Sequence, residues 1–236
     1  MNTIFSIKSL FNDAWKDYKK YWGIILLIVL TFALVQALSM VGAGFDPHYG
    51  SVGGDGSSTI ISWVAGTWLS IGYINFLLNI VDGKQARYRD IFYGVKSVEQ
   101  FAYYVLVTLV YGIIVGIGTL LLIIPGIILA IGLLFSSYYI AENRLGFKEA
   151  FKSSWEITKN NRWRIFGFAV VAILFNILGL IALGVGILIT LPMTQLMYAR
   201  MFRNLEGIPV PDGGVETEEE PMFIIEEQVT IEVTEE

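Results

Sequence analysis

The stretch QFAYYVLVTLVYGIIVGIGTLLLIIPGIILAIGLLFSSYYIA, residues 100–141, decides the fold because it runs for 42 residues without a charged side chain. As one α-helix it would be about 63 Å long at 1.5 Å per residue, whereas the hydrocarbon core of a bilayer is about 30 Å thick. This length and polarity predict two membrane-crossing helices joined by a tight turn. We expect that turn at the glycines of GIG, residues 116–118.

The composition of the whole chain is that of an integral membrane protein. Of its 236 residues, 55% are hydrophobic and 16% are charged, and the mean hydropathy is +0.62. A water-soluble domain with this balance would have too little polar surface to cover its core. The sequence contains no cysteine and one histidine, His48, which excludes disulfides and cysteine nucleophiles and leaves little room for histidine chemistry.

The other apolar runs complete a prediction of an all-α integral membrane protein with six transmembrane helices. These form three hairpins, each preceded by a cytoplasmic amphipathic interfacial helix. Residues 1–205 make up the membrane domain, and residues 206–236 an acidic cytoplasmic tail that we expect to be disordered. The sixth span is short and requires Arg200 and Arg203 to extend to the interface. The predicted spans are residues 23–42, 60–81, 101–120, 122–141, 165–183 and 186–203.

The distribution of positive charge predicts the orientation. Four Lys/Arg lie before the first span, four between spans 2 and 3, six between spans 4 and 5, and two at the end of span 6, which accounts for all sixteen. The positive-inside rule therefore places both termini in the cytoplasm, in the cell (inner) membrane. The residues before the first span do not match a secretory signal, so we expect no cleaved leader.

Aromatic and basic residues alternate in the segments that precede the spans. Phe147, Phe151 and Trp155 recur at intervals of four, with Thr158 continuing the stripe, and lysines occupy another face. This pattern predicts an amphipathic helix with its aromatic rings in the headgroup region and its cations toward anionic lipid. The N-terminus repeats the design, and residues 88–98 carry a weaker copy. The predicted anchors are Trp15, Trp22, Trp155, Trp163, Lys19, Lys20, Arg162 and Arg164.

The segments IIPGIILAIGLLFSSYYIAEN (123–143) and EAFKSSWEITKNNRWRIFGF (149–168) carry a family resemblance. The chain resembles a prokaryotic family of uncharacterised multi-pass membrane proteins, which is related to the membrane domain of some glycerophosphodiester phosphodiesterases. The resemblance implies a six-helix membrane domain and no particular reaction, because the phosphodiesterase catalytic barrel is absent from this sequence. The matching positions are Pro125, Gly126, Ala150, Ser154, Trp155, Arg162, Trp163, Pro192 and Tyr198.

Neutral polar residues are the candidate site residues inside the spans, which contain no Asp, Glu, Lys, Arg or His apart from Arg200 and Arg203 at the end of the sixth. They either line a polar pathway or make the interhelical hydrogen bonds that hold a bundle together. The predicted polar seam consists of Gln36, Asn75, Asn79, Asn176 and Gln195.

Small residues and prolines supply two further predictions. Gly112 and Gly116 form a GxxxG pair that indicates close helix packing, within the bundle or at a homodimer face. Pro125 and Pro192 are predicted helix kinks. Such kinks either have only a structural role or mark the discontinuous helices of a transporter.

The sequence favours a non-enzymatic membrane accessory or interaction module, with no cofactor, metal site or nucleic-acid partner. Its expected partners are anionic headgroups on the cytoplasmic side and a soluble protein bound by the acidic tail, which is otherwise simply solvated. The alternative is a small-solute or lipid transporter that uses the polar seam. A lipid-handling enzyme ranks third and would require a carboxylate cluster such as Asp82, Asp90, Glu99 and Glu142 to meet in space.

Overall fold

The structure, a computed structural model, describes residues 6–42, 45–46, 51–52, 57–181 and 186–213. These residues are mostly helical and include an antiparallel pair of two-residue strands, β1 (Phe45–Asp46) and β2 (Ser51–Val52), in which Phe45 pairs with Val52. A 3-10 turn covers Tyr88–Ile91. The helices are α1 (Ile7–Gly42), α2 (Ser57–Val81), α3 (Val98–Leu121), α4 (Ile123–Gly132), α5 (Ser136–Ala141), α6 (Phe147–Thr158), α7 (Arg162–Ile181) and α8 (Ile187–Glu206).

Several helices have the length and apolarity that a membrane crossing requires, which identifies a multi-pass membrane protein. Helix α8 is not among them, because its C-terminal half carries Arg200 and Arg203. It packs instead against α1, α2 and α7. Within the described ranges, the five segments that meet the criterion are Ile7–Leu38, Ile60–Val81, Val98–Leu121, Ile123–Ala141 and Arg162–Ile181.

Burial separates central helices from peripheral ones. The apolar segments of α2 and of the α4–α5 pair are 44% and 50% buried, whereas those of α1, α3 and α7 are 17–22% buried. The peripheral helices expose rows of Leu and Ile, for example Leu34 at 59% and Leu178 at 64%. Such faces are expected to contact lipid, because in water they would form large apolar patches.

The turn between α3 and α4 lies at Leu122, so the prediction of a turn at residues 116–118 is wrong. Leu122 is extended, with φ −157° and ψ 128°, and α4 begins at the next residue. Helix α3 continues past the glycines because Gly118 packs directly against Gly126 of α4, where a Cβ on either residue would meet the opposite helix. Gly118 and Gly126 thus bring α3 and α4 together, and the chain reverses at Leu122, four residues after Gly118.

Within the described part of the chain, Gly112 and Gly116 do not pack against another helix, so the homodimer face is the alternative that stays a prediction. Both are exposed, and a Cβ built on either would have no atom within 4 Å. They leave an open surface on α3, whereas the close helix contact in this hairpin uses Gly118 and Gly126.

The fourth predicted span is interrupted between α4 and α5, and α6 closes the gap. Ser154 Oγ donates to the carbonyl of Gly132 at 3.0 Å and accepts from Phe135 N–H at 3.1 Å. Thr158 Oγ1 also donates to Gly132 O, at 3.3 Å. A helix break leaves backbone groups unpaired, and these hydroxyls satisfy them. Thr158 is therefore fully buried rather than part of an aromatic, lipid-facing stripe.

The layout of three separate interfacial helices is not observed. The N-terminal basic segment is continuous with the first span in the 36-residue helix α1. The segment before α3 forms the 3-10 turn Tyr88–Ile91 instead of an amphipathic α-helix. Only α6 is a separate helix preceding a span among the described residues.

The segment between α2 and α3, residues 82–97, folds back along α2. Trp68 Nε1 donates to Phe92 O at 2.9 Å, and Tyr88 Oη lies 2.7 Å from Thr31 Oγ1 of α1. The backbones touch at Gly72, where a Cβ would overlap the carbonyl group of Ile91. A glycine is required at this contact because any side chain would push the segment off the helix.

The two predicted kink prolines occupy different positions. Pro125 is the third residue of α4, where a missing N–H leaves no intrahelical hydrogen bond unmade. Pro192 lies inside α8 and is buried, so its ring removes one hydrogen bond from the interior of that helix.

Candidate functional site

One end of the bundle gathers the buried charges of the molecule, with Arg203 of α8 at their centre. Its Nε donates to Asp82 Oδ1 at 2.7 Å and its Nη2 to Asp82 Oδ2 at 2.8 Å. Nη2 also donates to Glu142 Oε1 at 2.6 Å, and Nη1 donates to Glu206 Oε2 at 3.2 Å. The Arg203 side chain is 5% exposed. Its planar guanidinium thus joins the C-terminal ends of α2, α5 and α8, using the geometry in which arginine binds carboxylates best.

Arg144 supplies a second positive charge to the same cluster. Its Nη1 donates to Glu142 Oε2 at 3.0 Å and to Glu206 Oε1 at 2.9 Å. Burial alone would lower the pKa of the Arg144 guanidinium, but the hydrogen bonds to Glu206 and Glu142 outweigh burial and raise it. Arg144 therefore stays charged at any physiological pH. We call the five residues Asp82, Glu142, Arg144, Arg203 and Glu206 the charge cluster.

A second buried ion pair joins α1 to α8 at this end. Arg200 Nε and Nη2 both donate to Asp17 Oδ2, at 2.8 and 2.6 Å. The two side chains are 4% and 3% exposed. The prediction that Arg200 and Arg203 extend to the interface is therefore wrong, because both find carboxylate partners inside the protein.

The chain beyond α8 is packed against the same end of the bundle. Gly207 ends the helix with φ +74°, and Ile208 N–H donates to Arg203 O at 3.0 Å. Arg200 Nη1 donates to Pro211 O at 3.1 Å. Gly213 is buried so closely against the backbone of Asp13 that a Cβ there would overlap it. The body thus extends to residue 213, eight residues beyond the predicted boundary at 205, and residues 214–236 lie outside the described part.

The carboxylates of the charge cluster are paired with arginines. Of the four carboxylates whose convergence would indicate an enzyme, Asp82 and Glu142 do meet, but Arg203 pairs with both. Asp90 accepts instead from Arg87 N–H, and Glu99 lies in the first turn of α3. Among the described residues, no group of three His, Cys, Asp or Glu is arranged to hold a metal ion.

The predicted polar seam is not gathered into one line. Asn75 donates to the carbonyls of Ala141 and Gly94, at 2.8 and 3.2 Å, and Asn176 donates to Thr194 Oγ1 at 3.0 Å. Both amides therefore connect different parts of the bundle. Gln36 is exposed on α1, whereas Asn79 is partly buried.

Gln100 is a structural polar residue that the predicted seam omitted. It is 1% exposed and donates to Ala141 O at 2.8 Å and to Ile140 O at 3.1 Å. It lies next to charged residues at the start of α3, so its position in the sequence resembled a surface site. The N-cap Ser97, which accepts from Gln100 N–H at 3.0 Å, could have indicated that a helix begins there.

Two cavities adjoin along α3. The larger, about 730 Å³, lies between α1, α2 and α3 and includes Gln36 in its wall. The smaller, about 350 Å³, lies between α3, α5 and α8 and is bordered by Gln195. Tyr104 and Thr108 border both cavities. The smaller cavity is rich in hydroxyl groups, supplied by Tyr104, Thr108, Tyr111, Ser136, Ser137, Tyr138 and Tyr198.

The predicted interfacial anchors fall into two groups. Trp15, Trp22 and Trp163 are 38%, 58% and 86% exposed, and Lys19 lies over the Trp15 ring at 5.7 Å. Lys20 lies 5.3 Å from the Tyr21 ring, and Arg164 is exposed. Trp155 and Arg162 are partly buried and stack on each other, with the guanidinium carbon 3.7 Å from the ring centroid.

Comparison with known proteins places the chain in a family. The family described as a domain of unknown function (DUF7847) matches residues 90–233, which includes α3 to α8 and most of the acidic tail. No curated protein and no solved structure matches the chain. None of these comparisons connects the chain to the phosphodiesterase membrane domain, so that resemblance stays a prediction.

Proposed function

The chain belongs to the DUF7847 family, and we propose that it is a non-enzymatic membrane accessory module that presents its acidic tail to a soluble protein. The charged end of the bundle is its cytoplasmic face in the cell membrane. The observation that carries this proposal is the contact of Arg200 with Pro211 and of Asp13 with Gly213, which holds residue 213, where the tail begins, at the charged end of the bundle.

Six membrane crossings, with α8 as the sixth, are the topology we propose. The ion pair between Asp17 and Arg200 and the contact between Asp13 and Gly213 bring the N-terminal part of α1 next to α8 and the residues that follow it. Two ends on one side of a membrane require an even number of crossings. The positive-inside rule then assigns that side to the cytoplasm.

The chemistry of the tail supports a protein partner with a basic surface. Residues 214–236 contain nine glutamates and no Lys or Arg. The same residues include MFII (222–225), followed by Val229, Ile231 and Val233 at alternate positions. Alternating apolar residues are suited to adding a strand to the edge of a partner's sheet, while the charge speeds encounter with a basic surface.

Truncation after Gly213 tests the proposal. The full chain and the truncated chain would be purified from native membranes in a lipid-preserving polymer, and co-purifying proteins compared by mass spectrometry. We expect a partner that the full chain retains and the truncated chain loses. A third variant with all nine tail glutamates changed to glutamine controls for tail length and should also lose the partner, because the attraction is electrostatic.

The decisive step is reconstitution of any such partner with the purified proteins. Direct binding to the full chain that weakens with rising salt supports the proposal. Binding that is equal for the full, truncated and glutamine-tailed chains would overturn it. Because the cut follows Gly213, the Arg200–Pro211 contact is kept in every variant.

A small-solute or lipid transporter is the second candidate, favoured by the adjoining cavities that share Tyr104 and Thr108. Hydroxyl groups without ionised neighbours would suit a neutral or amphiphilic solute. The same purification distinguishes the two functions. If the full and truncated chains retain the same defined solute and neither retains a protein, transport becomes the leading hypothesis.

A further inference from the structure

An apolar groove runs along the outside of the bundle between α4 and α7. Its volume is about 390 Å³. Four isoleucines spaced at i, i+3, i+4 and i+7 on α4 form one wall, which extends for about 10 Å at 1.5 Å per residue. The residues that line the groove are Ile124, Ile127, Ile128 and Ile131 of α4 with Arg162, Trp163 and Phe166 of α7.

Arg162 places a positive charge at one end of this groove. Its guanidinium stacks on Trp155, whose ring lies against Gly132 at the C-terminal end of α4. The charge therefore lies at the Ile131 end of the groove, and the Ile124 end points toward the hairpin turn at Leu122.

Two donors of this guanidinium are unsatisfied. Arg162 Nε and Nη2 are buried and make no hydrogen bond. A buried donor without an acceptor is costly, and such groups in native proteins usually have a partner. The stacking on Trp155 fixes the plane of the guanidinium but accepts no hydrogen bond from its edge.

We propose that the groove binds one anionic phospholipid. Its phosphate accepts hydrogen bonds from Arg162, and one acyl chain lies along the α4 isoleucines. The Arg162 guanidinium favours a headgroup with net negative charge over a zwitterionic one, in which a cation of the headgroup offsets the charge of the phosphate. An acyl chain suits this wall better than a peptide, whose backbone groups would be left unpaired in hydrocarbon.

The site is separate from the proposed role of the tail. It requires only that α4 and α7 lie in a membrane, and it would persist in the chain truncated after Gly213. Failure of the tail experiment and failure of this one are therefore distinguishable.

Native mass spectrometry of the full chain in a non-ionic detergent tests the site. Phosphatidylglycerol and phosphatidylcholine would be titrated separately, and the dissociation constant of the first bound lipid measured. We expect phosphatidylglycerol to bind about tenfold more tightly, because the choline cation of phosphatidylcholine is repelled by Arg162 and the neutral glycerol of phosphatidylglycerol is not. R162Q should remove this preference. R164Q removes the same charge from an exposed position that does not line the groove, so it should retain the preference.

A second pair of variants tests the acyl groove without changing charge. Ile128→Trp fills the groove and should abolish retention of the lipid. Leu120→Trp adds the same ring at a position on α3 that is 87% exposed, and should have no effect. If R162Q fails to fold, the I128W and L120W variants and the wild-type comparison of the two lipids still test whether the groove binds an anionic phospholipid.

Three results of the affinity measurements would overturn the proposal. They are equal affinity of the wild type for the two lipids, unchanged phosphatidylglycerol binding in folded R162Q, and unchanged binding in I128W. Displacement of the lipid by a large excess of inorganic phosphate would also overturn it, because the site would then recognise free phosphate and not a phospholipid.

Discussion

Changing Arg203 to glutamine is expected to lower the free energy of unfolding by about 3–5 kcal/mol, the usual cost of removing one partner from a buried ion pair. The side chain is 5% exposed and binds Asp82, Glu142 and Glu206. Without it, the three carboxylates at the C-terminal ends of α2, α5 and α8 would repel one another. The measurement is unfolding of the purified protein in mixed detergent micelles, followed by circular dichroism.

Arg144 provides the matched control, because it binds two of the same carboxylates and its side chain is 43% exposed. Arg144→Gln should cost at most about 1 kcal/mol, since exposed ion pairs contribute little. Combining Arg203→Met with Asp82→Asn and Glu142→Gln should restore most of the lost stability, because neutral packing often replaces a buried ion pair without loss. If R203Q costs no more than R144Q, the charge cluster does not hold the bundle together.

Changing Gly72 to alanine is expected to cost about 3 kcal/mol, at the upper end of overpacking effects. The new Cβ would overlap the carbonyl group of Ile91, and a backbone group cannot rotate away as a side chain can. The folded-back segment would be displaced from α2, which would also disturb the hydrogen bond from Trp68 to Phe92. Loss of the hydrogen bond from Trp68 to Phe92 should appear as a change in tryptophan fluorescence along with the lower stability.

Gly66→Ala is the control on the same helix. A Cβ at Gly66 would have no neighbour within 4 Å. Alanine there should leave stability unchanged or raise it by up to about 1 kcal/mol, the difference in helix propensity. Equal stability of G72A and G66A would show that the segment does not pack against α2 at Gly72.

The membrane-embedded helices were predictable because hydrocarbon imposes a strict requirement on length and polarity. The 42-residue uncharged stretch is long enough for two crossings, and two helical segments of membrane-crossing length, α3 and the α4–α5 pair, occupy it. The position of its turn was not predictable from glycine alone, because Gly118 serves helix packing and not the turn. Likewise, the hydroxyl groups of Ser154 and Thr158 gave no local sign that they would close a break in another helix.

The charge cluster was beyond prediction from sequence because its members are distant along the chain. Arg203 is separated from Asp82 by 121 residues and from Glu142 by 61, and Arg200 from Asp17 by 183. Read locally, two arginines at the end of a short span resemble side chains that extend to the interface. Only the packing of α8 between α1 and α2 brings their carboxylate partners within reach.

That both ends of the chain lie on the cytoplasmic face is tested most directly by labelling single cysteines, since the native chain has none. Ser9→Cys, Ser51→Cys and Thr217→Cys would be treated in intact cells with a membrane-impermeant maleimide. Six crossings predict that only residue 51 is labelled, and that residues 9 and 217 react after the membrane is permeabilised. Labelling of residue 217 in intact cells, with residue 9 protected, would place the two ends on opposite sides and contradict the proposed topology.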